Sequence, residues 1–177
     1  PSIDPGRVID WSRTSSDDAA FRAGIPESFW RRLEALDVVR PGLRVLDLGT
    51  GTGNVALMTC HVSWLPRLDE VARRTEELVL RHDPRRTAGD WAGRVPAMPS
   101  WAADGFELTA MFWDEAIPFT RESWRGRIRA CRGVGASLAP EQVAAFDADH
   151  ARLLEATAPP EFTVLHRIDA HVLAPRG

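Results

Sequence analysis

Apolar residues recur along this chain with two different periods, and the period changes from one segment to the next. Phe29, Leu33 and Leu36 stand at helical spacing behind Pro26, whose missing N–H costs nothing at a helix start, and Arg40-Pro41-Gly42 ends that helix. Leu43 to Leu48 is a short apolar run that passes directly into glycines, the pattern of a buried strand feeding a tight turn. Thr52 to Met58 opens a helix, and Thr59 to Trp64 reads as a second strand. From Pro66 a helix carries Leu68, Val71, Thr75, Leu78 and His82 along one face. Asp69 and Glu70 lie in its first turn and Arg81 in its last, as the helix dipole favours.

The second half continues the alternation. Arg85 to Pro99, rich in Pro, Gly and Arg, reads as a loop, and Trp101 to Asp104 as one helical turn stopped by Gly105. Phe106 to Trp113 alternates, with Phe106, Leu108, Ala110 and Phe112 on one face. Thr120 caps a helix that runs through Cys131, and Pro140 opens another with Val143, Phe146, His150 and Leu153 on its face. Phe162 to Leu173 alternates again, with Val164, Ile168, Ala170 and Val172 inward. Residues Pro1 to Gly24, polar around Thr14-Ser15-Ser16-Asp17-Asp18, read as an irregular lead-in. Strands interleaved with helices predict an α/β layer fold.

Composition narrows the class. The 177 residues are 44% hydrophobic, enough for one globular domain with a core. The formal net charge of -3 gives no electrostatic ground for a nucleic-acid partner or an anionic membrane. No stretch approaches the ~18 apolar residues of a membrane span, and no signal peptide is visible, so the expectation is a soluble, cytoplasmic protein. Cys60 and Cys131 cannot make a disulfide framework and read as small buried hydrophobes.

The strand at Leu43 ends in Val45-Leu46-Asp47-Leu48-Gly49-Thr50-Gly51-Thr52-Gly53. Glycines at the carboxyl end of a strand let a nucleoside cofactor approach the backbone, and the helix that follows offers its free N–H groups. The spacing discriminates between cofactors. A dinucleotide loop needs its third glycine at position 54, which is Asn54, and no G-K-[ST] follows to make a P-loop.

The D-x-G-x-G-x-G order resembles motif I of class I S-adenosylmethionine-dependent methyltransferases. The resemblance extends to Phe21-Arg22-Ala23-Gly24-Ile25-Pro26-Glu27-Ser28-Phe29, which is similar to the lead-in of bacterial ubiquinone/menaquinone-methylase-like enzymes. It departs from that pattern at the upstream tyrosine, where Ala19 is nearest. Trp124-Arg125-Gly126-Arg127-Ile128-Arg129 and Gly133-Val134-Gly135-Ala136-Ser137-Leu138 resemble the C-terminal part of such proteins. The resemblance implies a Rossmann-like α/β sheet and S-adenosylmethionine as cofactor, with a small-molecule methyl acceptor. It implies that Asp47 binds the methionine end through water, and that Gly49, Thr50, Gly51 and Gly53 line the floor. It gives Arg22 the cofactor carboxylate as partner; a plain surface arginine is the equal alternative. Residues 1–42 would then be the lead-in and first helix, 43–58 motif I and 59–177 the C-terminal half of one domain.

Against that pattern the chain is short. Between Gly53 and the strand at Thr59 the family has three further strands with their helices, on the order of 80 residues at ~30 per βαβ unit. The acidic residue for the ribose, the adenine contacts and the motif where acceptor meets methyl group all belong there and have no counterpart. The connection from Gly49 to Met58 is too short for a parallel crossover, which takes a dozen residues or more. Three accounts stay open: an internal deletion, a stretch that belongs to the protein but not to these 177 residues, or a rebuilt core. The expectation is therefore an incomplete sheet without its strands 2–4, whose bare edge invites self-association. The function read from it is small-molecule methyl transfer. A non-catalytic remnant serving as a binding or dimerising module is the alternative, and an NAD oxidoreductase, opposed by Asn54, comes third.

Other constellations add little. Arg121, Arg125, Arg129 and Arg132 form a helical stripe that reads either as an anion site or, preferably, as a solvated face. Cys60 and His61 point to opposite faces of a strand, as do His166 and His171, and no cluster has metal-ligand spacing. Trp64, at a strand end, sits where α/β sites form. No catalytic base is assigned, since methyl transfer often needs only in-line placement.

Overall fold

A computed structural model describes residues 9–39, 57–87, 93–94 and 105–175. A single 3₁₀ turn, Trp11–Thr14, leads into α1 (Ser15–Phe21), and α2 spans Glu27–Ala35. Then come β1 (Leu57–Trp64), α3 (Glu70–His82), β2 (Phe106–Thr120), α4 (Arg121–Arg129), α5 (Pro140–Thr157) and β3 (Glu161–Pro175). The described strands form an antiparallel sheet of order β1-β3-β2, so the last strand lies between the two before it. The α/β class read from the sequence holds in this mixed form. The Leu43 to Leu48 strand, the Thr52 helix start and the turn at Trp101 lie outside the described residues, apart from Leu57 and Met58, which open β1.

The chain divides into two compact units. The first comprises Pro1–Ala23, Ser63–Arg94 and Asp114–His166; here α3 packs on α5, α5 on α4, and α4 on α1. From residue 9 onward the lead-in is thus not irregular: Asp10 caps its 3₁₀ turn, and the Phe21 ring lies where a β-carbon on Gly126 would stand. What reads as polar linker becomes helical because α4 gives it a surface to pack on.

Local chemistry sets the helix boundaries. Asp69 starts α3 by accepting the Ala72 N–H at 2.9 Å, while its other oxygen accepts the Leu165 N–H of β3 at 2.8 Å. Thr120 caps α4 as its sequence predicts, in a reciprocal box with Ser123, but the helix stops at Arg129. Pro140 opens α5, whose buried positions are Phe146, His150 and Leu154, one residue past the expected Leu153. Leu68, expected on the inner face of α3, precedes the helix and is 67% exposed.

Gly135 is buried where a β-carbon would lie 2.2 Å from the Arg129 carbonyl oxygen and 2.8 Å from Thr14 Cγ2. Gly135→Ala is expected to cost about 1–3 kcal/mol, because backbone on one side cannot yield as a flexible side chain would. Denaturant titration of the variant checks this, and an unchanged midpoint contradicts it.

The second unit comprises Gly24–Val62, Val95–Trp113 and Arg167–Gly177. Its core joins Phe29 and Leu33 of α2 to Ile168, Ala170 and Val172 of β3, with Met58, Val62, Met111 and Trp113 against them. Helix α2 closes with Asp37 at φ 55 and bonds from Asp37 N to Glu34 O and from Val38 N to Leu33 O. This is the left-handed ending in which glycine is usual and aspartate tolerated. On β2 the expected face is right only as far as Leu108. Thr109 and Ala110 are both exposed, the alternation slips by one, and Met111 and Trp113 turn inward while Phe112 is 60% exposed. On β3 the four expected inward residues are buried, as is His166 in register with them, but so are Asp169, His171 and Leu173 on the other face. A strand between two neighbours with both faces covered does not show period-two burial.

Candidate functional site

Of the residues expected to hold the cofactor, Arg22 is described; Asp47, Gly49, Thr50, Gly51 and Gly53 lie outside the described residues. Arg22 caps the C-terminal end of α1. Its side chain is 67% exposed, and Nη1 pairs with Asp18 Oδ2 of the same helix at 3.2 Å.

The arginine stripe is neither an open anion site nor a solvated face. Arg121 donates twice to the Ala158 carbonyl, Arg125 pairs with Glu122 and Asp147, and Arg129 reaches Asp17, Asp147 and Glu122. Burial alone would raise the Asp147 carboxyl, but the hydrogen bonds from Arg125 and Arg129 outweigh it and hold the group below its ordinary value. Three helices are tied through one guanidinium, that of Arg129 on α4, which meets Asp17 of α1 and Asp147 of α5. A helical period shows that these arginines share a face, not that acidic partners from α1 and α5 meet them there.

Two polar clusters lie in the core of the first unit. Glu76 accepts from Arg86 at 2.8 and 2.9 Å and from Trp64 Nε1 at 2.7 Å, with both charged side chains almost wholly buried. Trp64 is therefore part of the packing, with the Arg127 guanidinium 5.2 Å over its ring. Burial holds the Arg127 pKa down. Beside this, Trp124 Nε1 donates to Thr75 Oγ1 at 3.0 Å, and that hydroxyl lies 3.3 Å from His150 Nε2. Burial pushes His150 down to about 4, so its ring is neutral at physiological pH.

The second unit holds the arrangement with most chemical capacity. On β1, His61 is exposed, and its Nδ1 lies 2.9 Å from Oδ1 of Asp169 on β3. Asp169 is 1% exposed, and His171 Nε2 is 3.8 Å from the same oxygen, too far for a hydrogen bond. Asp169 Oδ2 and His171 Nε2 are buried without a hydrogen-bond partner. Ile168, Ala170 and Val172 face the apolar core, so Asp169 and His171 alternate onto the other face. Reading His61 only against its neighbour Cys60 hides this pair, because the partner is more than a hundred residues along the chain. The legible signal is an aspartate in the middle of an apolar strand. Cys60 itself is exposed and Cys131 buried, so the small-hydrophobe reading holds only for Cys131.

Among the described residues, no group of three His, Cys, Asp or Glu side chains could hold a metal ion, and no helix is long and apolar enough to cross a membrane. In comparisons with known proteins, no family, no curated protein and no solved structure matches this chain.

Proposed function

We propose that this chain derives its function from a methyltransferase-type cofactor loop and transfers a methyl group from S-adenosylmethionine to a small molecule. One observation carries the reading: the order Asp47-x-Gly49-x-Gly51-x-Gly53 at the end of an apolar run, with Asn54 where a dinucleotide loop needs glycine. The mixed α/β architecture accords with it at the level of fold class alone. In this reading Asp47 and the loop glycines hold the methionine end, and Arg22 lies in the segment leading to them.

A second reading has its own observation. β1 begins at Leu57, so Asn54, Val55 and Ala56 alone separate it from Gly53. No ribose or adenine wall can be built from such a connection. A non-catalytic remnant, acting as a binding or dimerising module, fits that brevity.

Calorimetry with S-adenosylhomocysteine separates the two. The loss of a ribose carboxylate and of the adenine walls is expected to cost more than ~4 kcal/mol, about a thousandfold in affinity, so heat should appear only at high ligand concentration. Gly51→Val should remove it by at least about tenfold more while leaving the circular dichroism unchanged, since a side chain there fills the approach path. Equal heats in both proteins would show that the loop is not the site. No heat in either, with a dimer on sizing, favours the remnant.

A further inference from the structure

We propose that Arg127 of α4 anchors a binding site for a small oxyanion, a carboxylate or a phosphate, beside the Trp64 ring. The site lies within the first unit and does not depend on the methyl-transfer reading. The arginines of α4 differ in their settings. Arg125 and Arg129 hold carboxylates, and Arg121 holds the Ala158 carbonyl. Arg127 has no ion pair and no hydrogen-bond partner among the described residues. Its half-buried guanidinium rests 5.2 Å over the Trp64 ring. A ring face attracts a cation but leaves the N–H groups of the fork without acceptors.

The surroundings leave this charge unbalanced. Phe21 of α1 sits against Gly126 of α4, and the residues that follow them, Arg22 and Arg127, come close enough to repel one another. Asp18, also within electrostatic range, is spent on Arg22 at 3.2 Å. Glu76, the carboxylate that touches Trp64, is taken by the indole N–H and by Arg86. His166 faces Trp64 with ring centroids 6.4 Å apart, and its Nδ1 donates to the Val164 carbonyl. Burial keeps that ring in its neutral form, so it adds no second cation. Arg127 and Arg22 against Asp18 leave a net positive patch. A guanidinium fork presents paired N–H groups at the spacing of two carboxylate or phosphate oxygens. The Trp64 ring limits the positions open to the fork, so less freedom is lost when an anion binds.

Nitrogen NMR of the full chain at neutral pH tests this, with inorganic phosphate and acetate added in turn against sodium chloride of equal ionic strength. The Arg127 Nε–H signal should move to saturation with at least one of the two. Those of Arg86 and Arg129, already held by carboxylates, should stay in place. Movement with phosphate alone assigns a phosphate ligand, and movement with acetate alone a carboxylate. Either anion that binds should also raise the urea midpoint. Arg127→Lys keeps the charge without the fork and should weaken binding at least about tenfold by that readout. Arg127→Met should abolish the rise. Without anion its midpoint should be no lower than the native one, since it removes an unbalanced cation. An Arg127 signal that chloride moves as far as phosphate and acetate do would overturn the site. So would an equal rise in the native chain and Arg127→Met, which is the mark of anion exclusion from the surface. A lowered midpoint in anion-free Arg127→Met would make the arginine a structural partner of Trp64 and overturn the site as well.

Discussion

Trp124→Ala is expected to lower the unfolding free energy by about 3–5 kcal/mol, the cost of emptying a fully buried aromatic site. Trp124 is 0% exposed and is the meeting point of the first unit. Its ring stands edge-on to Phe119 at 4.9 Å, to Trp64 at 5.6 Å and to His166 at 6.2 Å. Those partners come from β1, β2 and β3, so one side chain on α4 fastens all three described strands. The indole N–H also satisfies Thr75, whose hydroxyl serves His150 in turn. Trp124→Phe keeps most of the volume and loses the hydrogen bond, so it should cost only about 1–2 kcal/mol. Denaturant unfolding followed by circular dichroism gives both values. A loss below about 1 kcal/mol for Trp124→Ala would mean that the strands are held by something other than this packing.

Stability should fall as pH drops from 7 to 5, mainly through His150. Its folded pKa is about 4, against an ordinary 6.5, because burial disfavours the charged ring. Between those values the unfolded chain binds a proton that the folded chain refuses. Stability is therefore full above pH 6.5 and is lost progressively as the pH falls toward 4, to a limit of about 3 kcal/mol. About 2 kcal/mol of it should be gone by pH 5. Burial lowers His166 too, against the bond to the Val164 carbonyl, so it acts in the same direction. Asp147, held below its ordinary value, contributes stability that is lost only at lower pH, below the window where His150 acts. Urea titrations at pH 7 and pH 5 measure the slope, and His150→Gln should flatten it. Equal stability at the two pH values in the native chain would show that the ring is hydrated in the folded state.

Local signals were legible without coordinates. Thr120 and Pro140 mark helix starts through their own side chains and backbone, whereas the start read at Pro66 falls about one turn early, since Asp69 is the residue that caps that helix. Phe29 and Leu33, and the buried positions of β3 at Val164, Ile168, Ala170 and Val172, were equally readable, because burial on one face imposes a period. The order of residues from Asp47 to Gly53 is legible in the sequence, and the cofactor proposed for it rests on that pattern and the resemblance it carries.

Other features were decided only by the tertiary structure. Residues 15–21 form a helix because α4 lies against them, not because of their own polarity. The second buried face of β3 depends on the order β1-β3-β2, which no local period encodes. The arginine stripe on α4 became an ion-pair network because Asp17 and Asp147 arrive from distant segments. His61 and Asp169 became a dyad for the same reason: adjacent strands set side chains a few ångströms apart whatever their separation along the chain, and that pairing is a property of the register.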